Sequence, residues 1–193
     1  ISRHDAGFAV LDPEPTDVRA LTRRVVDALR PVAARFGSDV AVSLPEARVI
    51  AEVDPRRVER VLRNLIGNAL EHSEGREVQV TLAGGDEAIA LTVRDHGVGL
   101  RPEDYSRVFH RFWRADPSRA RQVGGTGLGL SISLEDARLH GGWLQVWGAI
   151  GRGAQFRLTL PAHRGQLLTG SPLPLEPVDE EPKSATPTRG GRG

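Results

Sequence analysis

The 193-residue sequence contains no cysteine, no methionine, a single tyrosine and a single lysine. Without cysteine there is neither a disulfide framework nor a thiolate metal site. Without methionine, Ile1 is expected not to be a natural start, so the chain reads as a fragment or a processed product. The lone Lys183 follows Pro182 among turn-forming residues. A Walker-type phosphate loop needs Gly-Lys-Ser/Thr, and a protein-kinase fold needs a strand lysine for the phosphates, so both are excluded. No apolar run reaches membrane-spanning length, and no signal-peptide pattern opens the chain. A net charge of +1 gives no bulk attraction to nucleic acid, and no nucleic-acid partner is expected.

What is present describes a globular domain, with 39% hydrophobic and 26% charged residues. Leu11 to Asp17, LDPEPTD, is loop-like. Asp17 to Phe36 has helical spacing, with Val18, Leu21, Val25, Ala28, Leu29 and Val32 on one side and Pro31 weakening its second half. VAVSL and ARVIAEV read as short strands. Asp54-Pro55 is a helix start, an N-cap carboxylate followed by proline at the first helical position, and the apolar stripe runs to about His72. EVQVTLA and EAIALTVRD alternate with period two around Gly84-Gly85-Asp86, a hairpin. A basic irregular stretch from Arg101 to Val123 leads to GGTGLGLSI, a helix from about Leu128 to His140, and two last strands, GWLQVWG and AQFRLTLP. Hairpins make much of the sheet antiparallel, which favours a two-layer α/β sandwich (α+β) over a doubly wound parallel sheet.

Three stretches carry chemistry. Glycine-rich loops entering helices receive anions, usually phosphate. The loop at Gly124 to Gly129 is not a dinucleotide fingerprint: Leu130 stands where the third glycine belongs. RADPSRARQVG before it is no buried strand, and no acid occurs from Ala137 to Leu160. Asn64 and Asn68, at i and i+4, lie one above the other on a helix face. Their amide oxygens suit Mg²⁺, a hard ion, but taken alone the pair is better read as two amides completing buried hydrogen bonds. DHGVGL places Asp95 at a strand end with Gly97 and Gly99 behind it. There a carboxylate can accept from an exocyclic amine while glycines admit a flat base; an ordinary turn has the same pattern.

Together these motifs resemble the ATP-binding domain of sensor histidine kinases. Asn64 to Ser73 matches the family's N box, Asp95 to Leu100 its G1 box, VFHRFWRAD its F box through Phe109 and Phe112, and GGTGLGL its G2 box. The likeness covers roughly Thr16 to Ala162. It implies the Bergerat ATP-binding fold, a mixed sheet with helices on one face and a flexible ATP lid. Residues 1–15 would be the end of an upstream dimerisation helix and linker, 16–163 the catalytic domain, and 164–193 a disordered tail. His4 lacks the His-Glu/Asp-x-x-Thr/Asn context of a phosphoacceptor, with Asp5 alone matching, so the acceptor is expected upstream.

The resemblance makes ATP and Mg²⁺ the ligands, with Asn68 the metal ligand and Asp95 the adenine reader. His72, Gly97, Gly99, Gly125, Thr126, Gly127, Leu128, Gly129 and Leu130 complete the nucleotide site. Asn64 stands where hydrolytic relatives carry a glutamate that activates water. An amide cannot take a proton, so Asn64 points to transfer rather than hydrolysis. The lid, Leu100 to Gly124, holds six arginines against three acids. Arg114 is the choice for catalytic phosphate contact, since guanidinium grips phosphate in two places. Phe109 and Phe112 are expected to anchor the lid or, equally, to be ordinary core aromatics. Glu71 stands at a position where the family often has a cation, and is expected to face solvent. The implied partners are the chain's own dimerisation and phosphoacceptor domain and a response regulator, within a homodimeric protein of the plasma membrane whose cytoplasmic side carries this domain. Two rival readings are a non-catalytic nucleotide-binding module and a hydrolytic ATPase of the same superfamily.

Overall fold

A computed structural model describes residues 10–113 and 127–178. The chain runs β1 (Glu14–Asp17), α1 (Val18–Arg35), β2 (Val40–Ser43), β3 (Ile50–Val53), α2 (Pro55–His72), β4 (Val78–Gly84) and β5 (Ala88–Asp95). Two short 3₁₀ turns, Pro102–Asp104 and Arg107–Phe109, precede α3 (Gly129–Leu139), β6 (Trp143–Ala149) and β7 (Gly153–Pro161). The main sheet has the order β2-β4-β5-β7-β6, parallel only between β2 and β4. This is the expected mixed sheet with helices, an α+β sandwich.

Local chemistry sets the helix ends. Asp17 caps α1 by accepting from Ala20 N–H at 3.1 Å, and Asp54 caps α2 from Arg56 and Arg57 N–H at 3.1 and 3.2 Å. Pro55 occupies the first turn of α2, where no intrahelical donor is lost. Pro31 does not break α1, which continues to Arg35. Its cost is offset by packing on both sides, since Val26 and Ala33 are fully buried. Gly85 N–H closes the β4–β5 hairpin on Ala88 C=O at 2.9 Å.

One sheet face carries the core. Val78, Val80 and Leu82 of β4, Leu91 and Val93 of β5 and Phe156, Leu158 and Leu160 of β7 are buried, and the α2 stripe from Val58 to Leu70 packs with them. At about 25 cal/mol per Å² removed from water, such a layer dominates the stabilisation.

Two expectations are corrected. Glu14–Asp17 is not loop but strand, because it pairs antiparallel with β3 from Glu14↔Val53 to Asp17↔Ile50. The tail is not free from Arg164 onward: residues 171–175 lie on the outer sheet face, hydrogen-bonded to β7 side chains. Its prolines suppressed every strand signal, yet an extended segment needs none when side chains do the bonding.

Candidate nucleotide-binding site

Strand β5 ends at Asp95, on the core side of the sheet, and the chain then turns sharply through Gly97 and Gly99. Asp95 is 2% exposed, and its Oδ1 accepts Gly97 N–H at 2.9 Å. Burial pushes this carboxyl above the usual aspartate range, offset in part by Gly97 N–H and the nearby His72. A β-carbon on Gly97 would sit 1.6 Å from the His72 carbonyl oxygen, and one on Gly99 1.9 Å from that of Ala149. Both glycines are therefore required by backbone packing, and Gly99 also has φ +79°.

Above Asp95 opens a cleft. Asn68, His72, Asp95, Gly99 and Leu130 of the expected set line it, joined by Val98, Leu100, Val108, Trp113, Ala154 and Phe156. Sequence reasoning missed these last six. Their signal was faint: alternation along AQF in β7, and apolar residues interleaved in the basic VFHRFW stretch. Phe109 stands edge-on to Phe156, ring centroids 6.1 Å apart, and ties the second 3₁₀ turn to the sheet. Phe112 does not serve as an anchor. It is 73% exposed with φ +64°, its N–H donating to Gly127 C=O at 2.9 Å. Glu71 is half-buried rather than turned fully to solvent.

Asn64 is absent from the cleft lining. Its Nδ2 donates to Gly129 C=O at 3.0 Å and Ser133 Oγ at 3.1 Å, so the amide straps α2 to the first turn of α3. Gly129 lies close against it: a β-carbon there would sit 3.3 Å from the Asn64 amide carbon, a tight contact. Gly127, Leu128 and Gly129 thus enter α3 under the guidance of Asn64. Arg114, Gly125 and Thr126 lie outside the described residues.

The opposite end of the same helix pair holds a buried ionic cluster. Asp136, 1% exposed, accepts from Arg57 Nη1 at 2.7 Å and from Arg60 Nε and Nη2 at 2.8 and 2.6 Å. Arg57 also pairs with Asp54 at 3.3 Å and reaches Val10 C=O at 3.2 Å. Burial opposes charge on Asp54, but N–H donation from Arg57, Asp12 and Arg56 prevails and lowers its pKa.

His140 completes the cluster. One ring nitrogen, Nδ1, pairs with Asp136 C=O at 2.7 Å, while Nε2 accepts Asp54 N–H at 3.0 Å. Both contacts together require the neutral ring, and burial holds its pKa below the ordinary histidine value. The unfolded chain binds this proton more readily, so the contribution is complete above about pH 6.5 and lost as pH falls below it. Thermal melts should therefore show His140→Gln losing less stability than the parent between pH 7 and pH 5. Equal slopes would remove His140 from the account.

Among the described residues, no group of three or more His, Cys, Asp or Glu could hold a metal by itself, and no helix is long and apolar enough to cross a membrane. Residues 53–164 match the family described as histidine kinase-, DNA gyrase B-, and HSP90-like ATPase. The chain is 52% identical over 187 residues to sensor histidine kinase MtrB of Mycobacterium leprae, covering 96% of this chain and 33% of that protein. It is 54% identical over 180 residues to MtrB of Mycobacterium tuberculosis, covering 93% and 32%. The chain thus spans about a third of the length of these curated relatives. Among solved structures, full-length ShkA in complex with AMPPNP superposes with a TM-score of 0.71 at 29% identity, over 83% of this chain and 33% of that one.

Proposed function

The chain belongs to the family of histidine kinase-, DNA gyrase B- and HSP90-like ATPases, and from that premise we propose that it is the catalytic ATP-binding domain of a sensor histidine kinase. The observation that carries the reading is the buried Asp95 carboxylate on the floor of a mostly apolar cleft, with Asn68 and His72 as its other polar side chains. A purine fits this donor set: flat apolar walls from Leu100, Val108, Trp113 and Phe156, and one acceptor aimed at an exocyclic amine. Likeness to a protein solved with AMPPNP supports the same ligand.

Asn68 would hold Mg²⁺ through its amide oxygen. Among the described residues no carboxylate cluster accompanies it, so nucleotide phosphates and water would supply the other oxygen ligands, which suits a metal that keeps several waters. When bound, Mg²⁺ supplies charge neutralisation at the phosphates. The N-terminus of α3, positioned by Asn64, would present backbone N–H groups to them, and Arg114 would add a fork of donors.

The reaction is transfer of the γ-phosphoryl group to a histidine of the helical dimerisation domain. A nitrogen–phosphorus bond forms as the bond to the leaving ADP oxygen breaks. The acceptor brings its own lone pair, so positioning and charge neutralisation are what this domain contributes. Asn64, whose amide already donates to Gly129 and Ser133, offers no base for water. The phosphoryl group would pass next to an aspartate of a response regulator, of the MtrA type if the MtrB likeness extends to partners. The whole protein would be a homodimer in the plasma membrane, with this domain on the cytoplasmic side.

Calorimetry on this chain should give ATP binding tightened by Mg²⁺ about tenfold, ~1.4 kcal/mol. Asn68→Ala should lose that increment and keep the metal-free affinity. Added to a separate acceptor domain with Mg-ATP, the chain should phosphorylate its histidine. Binding without transfer would return the non-catalytic reading, and steady phosphate release the hydrolytic one.

A further inference from the structure

The outer face of the sheet, away from the three helices, carries polar side chains that are nevertheless buried. Thr92, Arg94, Gln155 and Thr159 are all 6% exposed or less. Register puts them on one face: Arg94 opposite Gln155, Gln155 opposite Trp147, and Thr159 opposite Trp143. The Arg94 and Arg152 guanidiniums lie 4.9 and 5.3 Å from the Trp147 ring centroid, making a cationic and aromatic floor.

Residues 171–175, SPLPL, lie on this floor. Gln155 Nε2 donates to the carbonyls of Pro174 and Leu175 at 3.3 and 2.8 Å. Arg157 Nη1 donates to Leu173 C=O at 2.6 Å, and Thr159 Oγ1 to Ser171 Oγ at 2.9 Å. Residues at every second position of β7 thus read the segment in antiparallel order. Burial alternates along it, with Ser171, Leu173 and Leu175 half-buried and Pro172 and Pro174 exposed. The prolines fix extended backbone and remove the donors that a β-ladder would use.

We propose that this outer face is a binding groove for an extended leucine–proline–leucine segment, and that the chain's own Ser171–Leu175 is its exchangeable resident ligand. Recognition by side chains of backbone carbonyls, with no ladder, is how grooves bind proline-rich segments. Exchange is built into the attachment. Among the described residues no buried core residue lies beyond Ala162, and the connecting Leu167 is 86% exposed. Such a segment opens at a small fraction of the global unfolding free energy.

The test uses the full chain, ¹⁵N-labelled, and a synthetic peptide of residues 166–178. The indole N–H signals of Trp143 and Trp147 report on the groove. In a chain carrying Leu173→Gly, Pro174→Ser and Leu175→Gly, the resident segment is undocked and the peptide should shift both signals. The parent chain should bind the peptide at least about tenfold more weakly, because a short tether holds its own segment at an effective concentration near millimolar. Adding Gln155→Leu and Arg157→Met to the undocked chain should abolish binding, with amide dispersion confirming an intact sheet. The proposal is overturned if the peptide shifts neither chain, if it binds both equally, or if binding survives loss of Gln155 and Arg157.

Discussion

Asp95→Asn is expected to lower ATP affinity by about two orders of magnitude while leaving the melting temperature unchanged or raised. A charge-assisted hydrogen bond contributes about 1.5–3 kcal/mol, and an asparagine does more than remove it. Gly97 N–H claims one carboxylate oxygen at 2.9 Å, so the amide oxygen must stay there and the NH₂ must face the cleft. An amine on the ligand would then meet another donor. The fold has no such objection. Burial raises the Asp95 pKa, which means that the charge is tolerated at a cost and its removal relieves the folded state. Lost binding with retained stability is the signature of a functional group held against the fold's preference. ITP, which presents a carbonyl in place of the amine, sharpens the test: the ratio of ATP to ITP affinity should fall steeply in Asp95→Asn. A ratio equal to the parent's would mean that Asp95 does not read the base, and would also weaken the proposed function.

Local rules made much of this legible beforehand. The Asp54-Pro55 start of α2, the period-two strands and the glycines after Asp95 each state a physical requirement within a few residues, and each is met. Asp95 and Asn68, which both line the cleft, stood out only through the order and spacing of the motifs together, since a strand-end carboxylate and a helix amide each have an ordinary structural use. What escaped depends on distant segments. Val98, Trp113 and Phe156 meet in one cleft, yet nothing in any one segment announces the other two. Glu14–Asp17 becomes a strand only because β3 lies beside it. Phe112 carries an anchor's side chain on a backbone, φ +64°, that turns it outward, and side-chain chemistry alone does not encode that choice. The tail misled most, since composition rich in proline argues against secondary structure but is silent about docking. Arg57, Arg60 and Asp136 escaped as well. On a surface helix, arginines at i and i+3 ordinarily mean solvent, and only the approach of α3 makes them a buried network.

That network is the site of the second large effect. Asp136→Ala should destabilise the chain by about 3 kcal/mol, read as a lower urea midpoint with unchanged slope. The loss is more than three hydrogen bonds. Arg57 keeps only 17% side-chain exposure and would retain its charge with Asp54 as its remaining acidic partner, at 3.3 Å. Arg60 is 48% exposed and can turn to water, so Arg60→Ala should cost about 1 kcal/mol or less. Asp136→Asn should fall between them, keeping an acceptor but no charge. The effect should also reach the nucleotide. Helix α3 is pinned to α2 at two points, Asn64 to Gly129 and Ser133 at one end, Arg57 and Arg60 to Asp136 at the other. Releasing the far end leaves the near end on one amide, so Asp136→Ala should weaken ATP binding several-fold under conditions where the chain is still folded. Asn64→Ala should weaken it more for less stability lost, because it frees the phosphate-side turn directly. If instead both variants lose affinity only in proportion to the fraction unfolded, the two-point attachment is structural alone, and α3 is not what positions the glycine loop.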